Sequence, residues 1–146
     1  MGRIIYLLDT NIVSEINKPK PDMEVLAEIE YRSMFSAISS LTWYELLKGV
    51  EILPDDKRKN IMYDFLQDYV KASFPVIDFD ANAASVNAYF FGELKRLGKP
   101  LPETDLHIAS IAKANNMILV TRNIKDFEPL IEHCNLAVEN WFEKKH

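Results

Sequence analysis

Acidic and amide side chains that could do chemistry stand at four places in the chain. Asp9 directly follows an apolar run, Glu45 lies in the segment TWYELL, and Asp105 lies in PETDLH. Asn123 and Asp126 follow a second apolar run, MILVT. Oxygen ligands with no His or Cys in the set suit Mg²⁺ or Mn²⁺ better than zinc. A cation held in this way supports phosphoryl chemistry, most directly the hydrolysis of a phosphodiester.

Each acid also has a purely structural interpretation. Asp9 could cap a helix that begins at Thr10, and Asp126 is expected to cap the short helix that follows it. Asp105 could complement the dipole of its helix. Taken together these interpretations weaken, because three carboxylates at one edge repel each other unless a cation or protons compensate.

Glu45 has a different structural alternative. Thr42-x-x-Glu45 fits a capping box, in which Glu45 would only bond a backbone N–H. Ser39 or Ser40 is a better helix start, however, and a helix beginning there places Glu45 one turn inside it.

Hydrophobic periodicity predicts an α/β domain. Strands are expected at 4–8, 34–38, 117–121 and 136–138, with an extended segment at 75–79. Helices are expected at 10–17, 22–31, 40–53, 56–72, 80–97, 104–115 and 126–132, with Gly98 as a C-cap. The alternation predicts a mostly parallel central sheet with helices on both faces, in one domain spanning 1–146. The carboxyl ends of parallel strands share one edge, so this fold gathers the acids there.

Composition limits the classes of function. The apolar fraction of 48% and the charged fraction of 27% are ordinary for a globular chain, and no apolar run is long enough for a membrane span. Without a signal-peptide pattern, and with Cys134 as the single cysteine, we expect a cytoplasmic protein whose thiol has no catalytic role. The net charge of −5 gives no general basic footprint, so any nucleic-acid binding must come from a local site or a basic partner. His107 should turn away from Asp105 on a shared helix, and His133 and His146 lie near the chain end.

Five segments carry a family resemblance: LLDTNIVSEI, SSLTWYELLKG, PETDLHIASIAKANNMILVTRN, DFE and AVENW. In this order and spacing they resemble PIN-domain proteins, and most specifically the VapC and FitB-like toxins of bacterial toxin–antitoxin pairs. The resemblance covers essentially the whole chain. It implies a PIN-like fold and a Mg²⁺-dependent endoribonuclease, with Mn²⁺ as a possible substitute. It also implies a homodimer inhibited by a cognate antitoxin.

The resemblance assigns roles to individual residues. Asp9 matches the first metal ligand, Glu45 the acid of the T-x-x-E-L helix, and Asp105 the acid of D-x-x-I-A. The fourth acidic position of the family falls at Asn123, where this sequence departs from the strict pattern. The fourth ligand is therefore open between Asn123, Asp126 and water.

Residues beside the acids are candidates for supporting the ligands or contacting phosphate: Thr10, Asn11, Thr121 and Arg122. Lys125 could also meet a phosphate, whereas Lys18 and Lys20 are expected to be ordinary solvated charges. Two helices carry aromatic residues that are more often core than interface: Tyr63, Phe65, Tyr69, Tyr89, Phe90 and Phe91. Such richness in aromatics leaves open that part of this surface meets a second subunit or an antitoxin.

Two other functions remain open from the sequence. The chain could be a PIN-like binding module that cuts poorly, although an intact acid trio argues against this. It could also be a PIN nuclease that acts on DNA or structured nucleic acid outside a toxin–antitoxin system, since hydrolysis by an activated water does not require a 2′-hydroxyl.

Overall fold

The computed structural model describes residues 3–142, so the predicted domain span of 1–146 and His146 extend beyond the described residues. Its sheet consists of β1 (Tyr6–Leu8), β2 (Ser36–Ser39), β3 (Val76–Ile77), β4 (Ile118–Val120) and β5 (Val138–Glu139). The order is β3-β2-β1-β4-β5, and every neighbouring pair is parallel. The predicted parallel α/β architecture is confirmed, with β1 at the centre.

Helices connect the strands. They are α1 (Thr10–Val13), α2 (Met23–Tyr31), α3 (Ser40–Glu51), α4 (Lys57–Phe65), α5 (Lys71–Ser73), α6 (Ala81–Leu97), α7 (Glu103–Ala114) and α8 (Ile124–Cys134). Short 3₁₀ turns lie at Ser14–Asn17 and Ser33–Phe35, and a π turn at Leu66–Val70 joins α4 to α5. Gly98 ends α6 in the left-handed conformation, at φ +67°, as the sequence predicts.

Several predicted boundaries are wrong: the first strand begins at Tyr6 instead of residue 4, the last strand at Val138 instead of residue 136, and the second strand and the last helix also differ. Met34 and Phe35 belong to a 3₁₀ turn, in which the Phe35 N–H bonds the Arg32 carbonyl, so the second strand begins at Ser36. The last helix begins at Ile124 instead of 126, and it continues to Cys134. Its buried residues include Phe127, Leu130 and Cys134, which recur every three to four positions on one face. Burial of Cys134 in the same core as Leu119 of β4 carries α8 past its predicted end.

The sheet is buried on both faces, which explains why β1 is a continuous apolar run. Leu7 faces one core together with Phe90 of α6 and Leu106 of α7. Tyr6 and Leu8 face the opposite core. β1 is thus held by hydrogen bonds on two edges and by packing on two faces, so the residue that follows it has a fixed position. Among residues 3–142, no helix is long and apolar enough to cross a membrane.

Candidate active site

Asp9 lies at the carboxyl end of the central strand and is only 6% exposed. Its Oδ1 accepts a 2.8 Å hydrogen bond from the Thr10 N–H, which makes Asp9 the N-cap of α1. Its Oδ2 accepts a 2.8 Å hydrogen bond from the Thr121 hydroxyl and a 3.4 Å contact from the Asn11 amide. Burial raises the pKa of Asp9 against the lowering effect of these hydrogen bonds, and the charge of Glu45 adds to the rise. The capping role is confirmed, but it occupies only one of the two oxygens.

Glu45 lies one turn inside α3. The Ser39 hydroxyl oxygen accepts a 3.0 Å hydrogen bond from the Thr42 N–H, so the helix begins at Ser40 and the capping box at Thr42 does not form. Glu45 is therefore free of the capping role. Its Oε1 accepts a 2.6 Å hydrogen bond from the Thr10 hydroxyl instead, which ties α3 to the residue after Asp9.

Asp105 lies half-buried in the first turn of α7, beside the other acids. Burial has the largest effect on its pKa, followed by the negative charges of Asp9, Glu45 and Asp126, and together they raise it to about 6. Asp105 lies in the first turn of α7, so its position also suits the predicted alternative of complementing the helix dipole. Four acids from four separate elements thus lie within electrostatic range of one another, as the shared edge of a parallel sheet predicts.

The segment after β4 is tied to the tip of β1 by Asn11. The Asn11 amide nitrogen lies 3.3 Å from the Thr121 hydroxyl oxygen, and its Oδ1 accepts a 3.1 Å hydrogen bond from the Arg122 N–H. The Asn123 N–H in turn donates to the Thr121 hydroxyl oxygen at 3.2 Å. Thr121 is fully buried, which leaves its hydroxyl to support Asp9 and keeps it from any ligand in solution.

The prediction that Asp126 caps α8 is wrong. Asn123 is the N-cap residue, although its side chain makes no capping hydrogen bond, and Asp126 lies in the first turn of the helix. Helix α8 starts two residues earlier than predicted, which turns Asp126 from a cap into an exposed acid that acts on the pKa of Asp105.

The donor set suits a divalent cation by its chemistry. Within the described range 3–142, no three His, Cys, Asp or Glu side chains form a preassembled metal-binding cluster. Nevertheless, the mutual repulsion that raises the pKa of Asp105 is the electrostatic situation that a cation relieves. Oxygen ligands of this kind are those that Mg²⁺ and Mn²⁺ prefer.

Three further ionisable side chains that the sequence analysis considered have structural surroundings. His107 bonds Glu103 at 3.1 Å and packs on Phe79, as expected for a satisfied histidine turned away from Asp105. Lys18 was expected to be an ordinary solvated charge, but it pairs with the buried Glu15 at 2.8 Å. Cys134 is buried, and burial raises the pKa of its thiol, which agrees with a structural cysteine.

The aromatic residues divide between core and surface. Phe90 is buried at 1% exposure. The expectation that the set is mainly core fails for the four residues that are 43–54% exposed: Tyr63, Tyr69, Tyr89 and Phe91.

Two residues near the site were missed by reasoning from the sequence. Thr42 is fully buried, and its hydroxyl oxygen lies 3.2 Å from that of Thr10. Its spacing of three residues from Glu45, on one helix face, was the available signal. Glu15 is 3% exposed and accepts a 2.8 Å hydrogen bond from the Asp22 N–H, and its signal was an acid inside the apolar pattern IVSEI.

Comparison with known proteins bears on this site directly. The family model described as PIN domain matches residues 6–128, which span all four acids. The chain belongs to the PIN-domain family. The predicted resemblance to this family is therefore confirmed.

This PIN domain has similar relatives that match over nearly their full length. It is 33% identical over 137 residues to Ribonuclease VapC2 of Haemophilus influenzae, covering 93% of this chain and 97% of the relative. Its fold is similar to a chain of the FitAcB structure from Neisseria gonorrhoeae, with a TM-score of 0.87, 29% identity, and coverage of 96% of this chain and 100% of that one. It is also similar to a chain of VapBC2 from Rickettsia felis bound to a promoter DNA fragment, with a TM-score of 0.77, 35% identity, and coverage of 94% and 99%.

Proposed function

We propose that this PIN domain is the toxin of a toxin–antitoxin pair, an endoribonuclease that hydrolyses RNA phosphodiester bonds with the aid of a divalent cation. The observation that carries the proposal is the gathering of Asp9, Glu45, Asp105 and Asp126 at one edge of the sheet, where burial and then the charges of the other three acids raise the pKa of Asp105 to about 6. Acids that are held close together despite their mutual repulsion, and whose pKa values are shifted, are typical of a functional site. The relatives named as ribonucleases supply the reaction class.

The proposed roles of the acids follow from their positions. Asp9 and Asp105 hold the metal, and Glu45 binds it directly or through water. When bound, the cation lowers the pKa of a coordinated water and neutralises charge on the scissile phosphate. Asn123 occupies the fourth position of the family pattern, where an amide oxygen would orient a ligand without adding negative charge. We take Mg²⁺ as the physiological ion and Mn²⁺ as its substitute.

The residues around the acids divide into supporting and exposed ones. The Thr10 side chain bonds Glu45, the Asn11 side chain bonds the segment after β4, and the Thr121 side chain bonds Asp9. These bonds favour a supporting role for the three residues over contact with phosphate. Arg122 is exposed, and its guanidinium lies 4.4 Å from the ring centroid of Phe142. We propose Arg122 as a phosphate contact, since a protein with net charge −5 needs a local cation for RNA.

The proposed partners are a cognate antitoxin, as in the VapBC2 complex of the Rickettsia relative, and a second copy of this chain. The exposed aromatic residues offer apolar surface for such contacts. A single buried cysteine agrees with the cytoplasm as the compartment in which the pair acts.

A cleavage assay tests the proposal. Protein purified free of antitoxin should cut RNA in Mg²⁺ or Mn²⁺ and stop in EDTA, while DNA of the same sequence stays intact. Asp105→Asn should abolish cleavage and growth inhibition while the protein stays folded. Glu103→Gln, which removes a charge from the same helical turn but keeps a partner for His107, should cut normally.

Three outcomes would contradict the proposal in different ways. Undiminished cleavage in chelator would remove the metal mechanism. Cleavage of DNA instead of RNA would make the protein a DNA-directed nuclease. Binding of RNA without cleavage under any metal condition would make it a binding module.

A further inference from the structure

The hydroxyls of Thr42 and Thr10 and the carboxylate of Glu45 form a chain of hydrogen bonds between α1 and α3. The Thr10 hydroxyl oxygen lies 2.6 Å from Oε1 of Glu45 and 3.2 Å from the hydroxyl oxygen of Thr42. A hydroxyl carries one proton to donate, and a carboxylate can only accept. The proton of Thr10 therefore goes to Glu45, and the second bond must run from the Thr42 hydroxyl to the Thr10 oxygen.

The Thr42 side chain is held in one position at the start of this chain of hydrogen bonds. It is fully buried, and its N–H is held by the Ser39 hydroxyl oxygen at 3.0 Å. Its branched side chain has restricted rotation in a helix. Among residues 3–142, its hydroxyl has Thr10 as its one hydrogen-bond partner. Burial excludes any contact of Thr42 with substrate, so its hydroxyl can act only through Thr10.

These hydrogen bonds determine which oxygen of Glu45 already has a partner. Oε1 receives the Thr10 proton at a short distance, and a donor that itself accepts a hydrogen bond is polarised toward stronger donation. Oε2 is then the oxygen left for a ligand at the sheet edge. A glutamate side chain rotates about three torsions. A hydrogen bond to one oxygen restricts this rotation beforehand, so less conformational entropy is lost when the carboxylate binds a cation.

We infer that Thr42 is a positioning residue that orients the Glu45 carboxylate through Thr10 for metal binding and cleavage. The inference rests on the proposed function for the role of Glu45. A hydroxyl that served only the packing of α1 against α3 would affect stability but would not change how Glu45 binds a cation.

The test uses the full chain, with Thr42→Val and Thr42→Ser made in the wild-type and Glu45→Gln backgrounds. Val keeps the shape of Thr and removes the hydroxyl, whereas Ser keeps the hydroxyl. Mn²⁺ affinity is measured by calorimetry without RNA, kcat and KM are measured with RNA, and the thermal midpoint is followed in EDTA.

We expect Thr42→Val to weaken Mn²⁺ affinity by about three- to tenfold, the range that one ordinary hydrogen bond gives. It should lower kcat by a similar factor, with KM little changed. Thr42→Ser should restore both. In the Glu45→Gln background Thr42→Val should cause no further loss, because the group it positions is already altered.

Wild-type Mn²⁺ affinity and kcat in a folded Thr42→Val protein would overturn the inference, as would an equal loss in the Glu45→Gln background. If Thr42→Val does not fold, Thr10→Val is compared with Thr10→Ser. Thr10→Val interrupts the same chain of hydrogen bonds at α1, and the same measurements and criteria apply. Failure of the proposed function would instead appear as a wild-type protein without metal-dependent cleavage. The calorimetric comparison still judges the positioning role in that case.

Discussion

The hydroxyl of Thr121 donates a 2.8 Å hydrogen bond to Oδ2 of Asp9, which lies 112 residues earlier in the chain. The bond joins the carboxyl ends of β1 and β4, which are neighbours in the sheet. It lowers the pKa of a carboxyl group that burial raises. The edge of the sheet therefore supplies Asp9 with a hydrogen bond that opposes the effect of burial on its pKa.

Thr121→Val should make this support measurable. Removing the donor leaves a buried carboxylate oxygen with a weaker partner, which should cost about 1–3 kcal/mol of unfolding free energy and raise the pKa of Asp9 further. Mn²⁺ affinity should fall because protons compete better for the ligand. Thr121→Ser is the matched control. Denaturant unfolding and calorimetry check the result, and a Val variant with wild-type stability and affinity would contradict it.

Asp105→Asn should change how stability depends on pH when metal is absent. The pKa of Asp105 is raised from 3.8 to about 6, so between these values the folded protein holds more protons than the unfolded chain. The contribution of Asp105 to the free energy of unfolding is fully present below pH 3.8 and is lost as the pH rises through about 6. Asn does not ionise, so the variant should be the more stable protein at neutral pH.

The thermal midpoint in EDTA measures this difference. The gap between Asp105→Asn and wild type should open as pH rises, reaching about 3–5 °C, which corresponds to ~1 kcal/mol after a discount for the half-exposed side chain. Glu128→Gln, an exposed charge on α8 that does not act on Asp105, should give a gap that changes little with pH. A variant that is less stable than wild type at neutral pH would show that Asp105 has a structural role.

The fourth position of the site can be resolved with two further variants. Asn123→Asp should tighten Mn²⁺ binding, because hard cations favour additional carboxylate charge. Asp126→Asn should weaken it by a few-fold, since Asp126 belongs to the acids that repel Asp105 and does not cap α8. Glu128→Gln serves as the control for charge loss on the same helix. If Asp126→Asn abolishes binding while Asn123→Asp leaves it unchanged, Asp126 is the fourth ligand and Asn123 is not.

Trp141 should prove structural despite its place in the motif AVENW. Its ring meets Tyr6 edge-on at 5.4 Å between centroids, and its N–H bonds Glu139 at 3.1 Å. We expect Trp141→Ala to cost about 3–5 kcal/mol and Trp141→Phe only about 1 kcal/mol, because Phe keeps the aromatic contact. Denaturant unfolding measures both, and equal losses would show that the indole N–H, not the ring, is the important group.

Much of the site could be predicted because it depends on local chemistry and on one rule of topology. Asp9 follows a strand that is apolar at every position, and Asp105 stands in the first turn of a helix that the sequence predicts. Parallel strands then place their carboxyl ends together whatever the exact packing. Helix α3 began where a serine cap predicts, which left Glu45 available.

Only the tertiary structure decided which side chains meet across that edge. The bonds of Thr121 to Asp9 and of Thr10 to Glu45 join residues 112 and 35 positions apart, so they depend on strand register and helix packing, which no local pattern encodes. The start of α8 at Ile124, with Asn123 instead of Asp126 as the N-cap residue, was also visible only in the structure. The exposure of Tyr63 and Tyr89 was likewise unreadable, because an aromatic on a helix is core or surface according to what covers that face.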